Sequence, residues 1–545
     1  MEGPVMSRFQ THTVDNQPPE FAPRDPWQDD IALREALVRE GGDAHAGQVA
    51  RYGALAGGEL LALSFDAHRD RPRLRSHDRF GHRIDTVEFH PNYHRIMAAA
   101  VEHGVAGLSW ADGSPGAHVA RAALCYLHNQ AEPGTSCPLT MTHAAVPVLR
   151  QAPGLREWAD KVAACRYDPR DVAIDGKPGV TLGMGMTEKQ GGSDVRANTT
   201  IATSLGVGGE YALVGHKWFF SAPMSDGFLV LAQAPGGLSC FLLPRRLPDG
   251  AKNAFALMRL KDKLGDWSNA SGEVEFMEAR AWRIGDEGRG IATILQMVML
   301  TRLDCMLGSA AQIRMALAQA LHHASHRMAF GKRLIEQPLM RNVLADLAIE
   351  SEAALALSMR VARAVDASPR DPREAALARI ATAIGKYWIC KRAPAFVNEA
   401  QECLGGAGYI EESILPRLYR QAPLNSIWEG SGNIQCLDVL RALAREPESA
   451  EALVAELDAA SCEDRDYDAA LPALRESLRS TDEAGARMLV ERLALALQAG
   501  LLLRANSPLA GLFCRSRLGG GHGLALGTLP ADADFAMPIA RAWPM

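Results

Sequence analysis

Ser426-Ile427-Trp428-Glu429-Gly430-Ser431-Gly432-Asn433-Ile434-Gln435 sets one carboxylate between a large aromatic side chain and a Gly-Ser-Gly turn. Trp428 can exclude water from the Glu429 carboxylate and raise its proton affinity, which is the condition for a general base. Gly430 and Gly432 let the backbone come close to a flat ligand. A loop between two helices would also explain the stretch taken alone. A second run decides against that reading: Met184-Gly185-Met186-Thr187-Glu188-Lys189-Gln190-Gly191-Gly192-Ser193-Asp194. It gathers hydroxyls, glycines and free backbone N–H groups, the equipment for holding a polar ring system or a phosphate.

Outward from these runs, the hydrophobic pattern changes character along the 545 residues. From Asp29 to about Asp160 apolar residues recur at three and four, as in residues 119–127 and 141–149, which predicts helices. Between Gly183 and about Gly290, short β-branched and aromatic runs at 211–214, 228–232, 239–243 and 273–276 predict a small β domain. Helical patterns return over 291–330, 335–365 and 373–404, before a break at Gly405 to Gly408. The expected organisation is an N-terminal α domain with an extended arm over 1–182, a central β domain over 183–290, an α-helical domain over 291–441 and a C-terminal helical extension over 442–545.

Composition narrows the classes. An apolar fraction of 47% and a charged fraction of 22% are those of a soluble globular chain, not of a disordered one. No uninterrupted apolar run reaches the roughly 18 residues of a membrane span, and Met1 to Pro26 lacks the charged-then-apolar order of a signal peptide. A cytoplasmic location with no membrane partner is expected. Ten cysteines without a Cys-x-x-Cys fit reduced thiols. His90 with His94, and His322 with His326, have i,i+4 spacing, but no His-Glu-x-x-His or cysteine cluster completes a site, so no metal is expected.

Four segments, in order, resemble the acyl-CoA dehydrogenase family of flavoenzymes. Thr187-Glu188 through Ser193-Asp194 is similar to the family's flavin loop, and Lys217 followed by Phe219-Phe220-Ser221 to its flavin wall. Arg327-Met328-Ala329-Phe330-Gly331 with Gln337 looks like the segment that reaches a neighbouring subunit's FAD, and Gly405-Gly406-Ala407-Gly408-Tyr409 is the fourth. The resemblance implies a mainly α fold with a central β domain: an α domain, a β-barrel and an α-helical bundle, here with an extra C-terminal helical domain. It implies FAD held by Met184, Met186, Thr187, Gly192 and Ser193, by Phe219, Phe220 and Ser221, by Ile427, Trp428, Gly430, Ser431 and Asn433, and by Arg327, Phe330, Gln337, Gly405 and Gly406. In a strand, Phe219 and Ser221 share one face and Phe220 takes the other.

The implied reaction is α,β-dehydrogenation of an acyl-CoA thioester, with Glu429 taking the α proton and the flavin accepting the β hydrogen as hydride. The electron acceptor is unspecified, and the implied assembly is a homotetramer built as a dimer of dimers. Some members carry the base on an earlier helix. Here that helix reads Met299-Leu300-Thr301-Arg302-Leu303-Asp304, with Thr301 where the acid would fall, and Asp304 is misplaced by one turn. Arg302 is open to two roles, contact with the polar part of the substrate or a structural ion pair.

A typical member ends soon after the glutamate loop, whereas about a hundred residues follow here. With Gln10-Thr11-His12-Thr13-Val14-Asp15-Asn16-Gln17-Pro18-Pro19, that extension resembles the AidB-like, alkylation-response branch of the family. The branch implies protection of DNA from alkylating agents, weak isovaleryl-CoA dehydrogenase activity and double-stranded DNA binding through the extension. The candidate phosphate contacts are Arg475 and Arg479, four apart on one helical face, and Arg515 and Arg517 in a flexible basic loop. Acidic residues outnumber basic ones after Ala442 and concentrate in 446–468. A metabolic short- or branched-chain acyl-CoA dehydrogenase with a structural extension therefore stays open, as does an interaction protein with a relic flavin site.

Overall fold

A computed structural model describes residues 11–206 and 208–544. Gln10 of the N-terminal signature, with the rest of residues 1–10, lies outside the described residues. The N-terminal part is helical, as expected, and the two patterned stretches fall inside α1 (Ala117–Ala131) and α2 (Ser136–Leu149). It also carries an antiparallel hairpin that the helical pattern did not foretell, β1 (Arg73–His77) and β2 (Arg83–Glu88). In β1, Arg73, Arg75 and His77 point to solvent and only Leu74 faces inward as an apolar residue, and in β2 Val87 is the one apolar residue that is fully buried, so the hairpin carries little hydrophobic signal.

The central strands are β3 (Leu182–Gly185), β4 (Ile201–Ser204), β5 (Glu210–Ser221), β6 (Gly227–Ala234), β7 (Gly237–Pro244), β8 (Phe255–Leu260) and β9 (Ser271–Ile284). They form one sheet in the order β3-β6-β4-β5-β9-β7, with β8 on β9, and pairing of β6 with β7 closes it into a barrel. β6 is apolar along most of its length because both of its faces are covered. Phe228, Val230 and Ala232 point into the barrel with Phe220, Phe255 and Phe276, while Leu229 and Leu231 pack outward against Trp158 and Val148.

Three long helices follow: α3 (Gly290–His326), α4 (Pro338–Ala367) and α5 (Pro372–Cys403). α4 and α5 each begin on a proline, and the Asp371 side chain caps α5 by accepting from the Arg373 N–H. By length and composition α3 could cross a membrane, but most of it is buried in the bundle against α1, α4 and α5. α6 (Gly432–Arg445) follows the glutamate loop at the end of the bundle, and the extension adds α7 (Pro447–Asp458), α8 (Arg465–Ser480) and α9 (Ala486–Arg504). Leu453, Tyr467, Leu493 and Leu502 belong to the same apolar cluster as Leu344 of α4 and Ile384 of α5. The extension thus shares a continuous core with the bundle.

Candidate active site

α6 starts at Gly432, behind a loop in which Glu429 and Gly430 both take the left-handed conformation, with φ of 58° and 93°. Gly430 does so freely, whereas Glu429 carries a Cβ and persists there only because its surroundings fix it. Lys386 of α5 donates to the carbonyls of Trp428 and Gly430 at 2.8 and 2.7 Å. Arg302 Nε and Gln435 Nε2 both donate to the Glu429 carbonyl at 3.1 Å. Trp428 Nε1 donates to Asn425 Oδ1 at 2.9 Å. The Glu429 carboxyl points at α3, where Thr301 Oγ1 donates to Oε2 at 2.7 Å. Burial pushes this carboxyl above its ordinary pKa, against the smaller opposing pull of the Thr301 hydrogen bond and of the Lys386 and Arg302 charges.

β3 delivers the loop 186–194, and an ion pair fixes that loop to the wall strand. Glu188 and Lys217 are sealed from solvent, with Lys217 Nζ on Glu188 Oε1 at 2.7 Å. Thr199 and Thr200 donate to the same carboxylate through both backbone N–H groups and both hydroxyls. Lys217 Nζ also reaches the Leu231 carbonyl at 2.7 Å, and the Trp218 N–H donates to the Thr187 carbonyl at 2.8 Å. Burial alone would raise the Glu188 carboxyl, but the Lys217 bond and the threonine donors outweigh it and hold the group well below the usual carboxylate range. Burial also pulls Lys217 down. With so many donors on the carboxylate, the ionised pair is the state that fits. The glutamate of the loop is therefore an anchor, a role that the loop's own sequence does not reveal.

Met184, Met186 and Trp428, all half-buried, pack on one apolar cluster with Met141, Trp158, Ile294 and Met297. The glycine-rich loop and the glutamate loop thus border a common apolar surface. Thr187 and Gly192 are half-buried in the loop and Ser193 is exposed. A Cβ at Gly192 would come within 2.4 Å of Thr187 Oγ1. Phe219 is 48% exposed and Ser221 half-buried on the wall. Partly exposed thioethers and an indole beside loop hydroxyls suit a planar ring with polar edges, so these residues fit a flavin. Ile427 and Ser431 are exposed at the glutamate loop, and Asn433 Oδ1 accepts from Arg487 Nε of α9 at 2.9 Å.

The remaining candidates lie elsewhere. Arg327 caps the C-terminal end of α3, 26 positions past Thr301, about 39 Å along a helix that rises ~1.5 Å per residue. Phe330 and Gly331, with φ of 52° and 77°, form the two-residue turn between β10 (Met328–Ala329) and β11 (Lys332–Arg333). Phe330 is 98% exposed there, and Gln337 Nε2 braces the hairpin by donating to the Ala329 carbonyl at 3.0 Å. Gly405 and Gly406 are exposed beyond the end of α5, itself about 26 Å along the helix from Lys386. Within one chain, these five residues stand apart from Glu429.

Three family models match the chain in order: the adaptive response protein AidB N-terminal domain over residues 16–169, the acyl-CoA dehydrogenase middle domain over 183–279 and the acyl-CoA dehydrogenase C-terminal domain over 288–444. AidB of Escherichia coli (strain K12) is 48% identical over 524 residues, 95% of this chain and 96% of that one. The chain belongs to the AidB branch of the acyl-CoA dehydrogenase family. Its members are FAD-dependent oxidoreductases, and so is this chain. Acyl-CoA dehydrogenase family member 11 of Caenorhabditis elegans is 31% identical over 436 residues, covering 76% of this chain and 70% of that one. The crystal structure of Caenorhabditis elegans ACDH-11 in complex with C11-CoA superposes with a TM-score of 0.84 at 26% identity, covering 99% of this chain and 94% of that one.

Within this family fold, several residues have other duties than the motifs suggest. Phe220 is fully buried among Phe228, Phe255 and Phe276, so it is a core residue of the barrel and leaves the cofactor set. Arg302 is buried with Nη1 on Asp438 Oδ2 at 2.7 Å, which makes it the structural ion-pair partner that also holds the Glu429 carbonyl. Asp304 is locked against the Arg121 guanidinium and accepts from Thr140 Oγ1 at 2.7 Å, which removes it as a competing base. Arg517 is buried against Asp346 and Glu350 in a helical turn over 514–518, so it belongs to no flexible basic loop and faces no DNA. Arg475 pairs with Asp458 and Arg515 with Asp532, both at the surface, and Arg479 is exposed.

The histidine pairs also have structural partners. His90 caps a helix through the Asn92 N–H, His94 bonds Tyr167, His322 bonds the Pro19 carbonyl and His326 the carbonyl of His322. Among the described residues, no group of three or more His, Cys, Asp or Glu is placed to hold a metal ion.

Proposed function

We propose that this chain is an AidB-type FAD flavoprotein of the DNA alkylation response that retains α,β-dehydrogenation of a short branched acyl-CoA, with isovaleryl-CoA as the test substrate. The observation that carries the enzymatic reading is the Glu429 carboxyl held against Thr301, in a loop whose Trp428 packs on the same apolar cluster as Met184 and Met186. The alkylation-response role is supported by the 48% identity to AidB over nearly the whole of both chains. An acyl-CoA ligand is supported by the C11-CoA complex of the C. elegans relative.

FAD, when bound, supplies the hydride acceptor; the protein supplies the base and its alignment. Thr301 occupies Oε2 of Glu429, which leaves Oε1 to take the α proton. A carboxyl raised by burial is a stronger base than a solvated one, which suits it to a weakly acidic carbon. Among the described residues the Glu429 N–H has no protein acceptor, and it is the donor for a thioester carbonyl as negative charge develops there. Met184, Met186, Thr187, Gly192, Ser193, Phe219, Ser221 and Trp428 would hold the ring system from the same chain.

The distant group fits a neighbour's cofactor. Arg327, Phe330, Gln337, Gly405 and Gly406 would reach the FAD of another subunit in a homotetramer, a dimer of dimers in the cytoplasm. Arg327→Ala is then expected to weaken FAD binding, read by flavin fluorescence titration, without changing kcat at saturating FAD. An unchanged FAD affinity would place Arg327 outside the cofactor site. The boundaries near residues 182, 290 and 441 belong to the same proposal.

Double-stranded DNA binding rests on Arg475, Arg479 and Arg515, with no ordered base-reading element among them. The triple Ala variant is expected to weaken affinity for every duplex alike and to flatten the salt slope by about one unit for each phosphate no longer neutralised, at unchanged dehydrogenase turnover. A parent protein without salt-dependent duplex binding would favour the metabolic dehydrogenase with a structural extension.

A further inference from the structure

We propose that Lys386 is a positioning residue for Glu429, its buried ammonium clamping the two peptide carbonyls that flank the glutamate so that the carboxyl is held against Thr301. This rests on the reading of Glu429 as the base. Lys386 sits in the interior of α5 with 1% of its surface exposed. Other buried cations of the molecule meet a carboxylate directly: Lys217 on Glu188, Lys177 on Asp226, Arg121 on Asp304, Arg417 on Glu132. Lys386 instead spends its donors on the carbonyls of Trp428 and Gly430, the residues immediately before and after Glu429. Both carbonyls can turn toward one ammonium because Glu429 and Gly430 are left-handed. A Lys side chain thereby fixes a backbone conformation that a glutamate adopts at a cost.

The charges around the ammonium are few. The Cys305 thiol of α3 and the Cys390 thiol of α5 are both pushed up by burial and stay neutral. Arg302 lies on α3, and its partner Asp438 on α6 is already shared with Arg379. The Lys386 charge lowers the energy of the ionised base, against the larger effect of burial, without pairing with the carboxyl directly. A side chain that served packing alone would be replaceable by methionine with no effect on when the base ionises.

The test uses the FAD-loaded protein and its Lys386→Met, Lys386→Gln and Lys386→Arg variants, measuring FAD content and isovaleryl-CoA turnover across pH. Removing the cation makes ionised Glu429 harder to hold, so the acid limb of kcat/KM is expected to move to higher pH in the Met and Gln variants. A loosened carboxyl is also expected to lower kcat on the order of 10- to 100-fold with little change in KM. Lys386→Arg keeps the charge and should return the limb toward the parent's position. If Lys386→Met fails to fold, Lys386→Gln carries the same reading. An acid limb that stays in place in the neutral variants overturns the proposal, whatever happens to kcat. Glu429→Gln run in parallel separates the two levels: parental turnover there overturns the base itself, whereas lost turnover with an unmoved Lys386→Met limb overturns only the role of Lys386.

Discussion

Glu429→Gln is expected to lower isovaleryl-CoA turnover by about 10²- to 10⁴-fold while FAD stays bound. Glutamine keeps the volume and an acceptor for Thr301 Oγ1, and it removes only the basic oxygen. No neighbour can take over, because Asp304 is engaged with Arg121 and Thr140. The same substitution should raise the melting temperature at neutral pH. Burial raises the folded-state pKa of this carboxyl, so the folded chain binds the proton more readily than the unfolded one. Ionised Glu429 therefore subtracts stability in full above its raised folded pKa, and the deficit shrinks as pH falls through that value and is gone below the unfolded pKa. Calorimetry at neutral and acid pH should show a Gln variant whose Tm advantage shrinks on acidification. Turnover within about twofold of the parent would move the base elsewhere.

Glu188→Gln is expected to cost about 3–5 kcal/mol of stability, because it leaves the Lys217 ammonium buried without its counter-charge. The loss is local as well as global. Glu188 ties the loop 186–194 to Thr199, Thr200 and the wall strand, so FAD should dissociate at lower denaturant concentration than the chain unfolds. Replacing both partners with apolar residues should recover part of the stability, since two removed charges leave nothing unpaired. Because the folded pKa of Glu188 lies below its unfolded value, its stabilisation is present above the unfolded pKa and is lost only as pH falls through the low folded value. FAD retention should thus persist through mild acid in the parent. Equal denaturation midpoints for parent and Glu188→Gln would show that the pair contributes nothing net.

The sequence makes the long helices and buried strands legible because their apolar residues repeat with a fixed period. The 228–232 run becomes β6, and the 373–404 pattern becomes α5 within a residue or two. It hides the β1–β2 hairpin, whose outward face is arginine and histidine, so no apolar alternation marks it. At the site, the Trp428-Glu429-Gly430 run announces a carboxylate in a constrained turn. What constrains the turn is invisible, because Lys386 lies 42 residues before Trp428 and a lone lysine in a helix carries no pattern. Charge summed along a segment also misleads when partners are distant. Arg517 reads as part of a basic loop, yet its counter-charge Asp346 is 171 residues away and buries it. Phe220 matches the flavin-wall motif in sequence, and only its place on the inner face of the barrel assigns it to the core.

The central claim is that this chain binds FAD and uses Glu429 to begin oxidation of an acyl thioester. Anaerobic addition of isovaleryl-CoA to the FAD-loaded protein, followed at the visible flavin band with Glu429→Gln in parallel, tests it most directly. The expected result is bleaching of the band in the parent and an oxidised spectrum that persists in the variant. A parent that stays oxidised, or a variant that bleaches at the parent's rate, would contradict the claim.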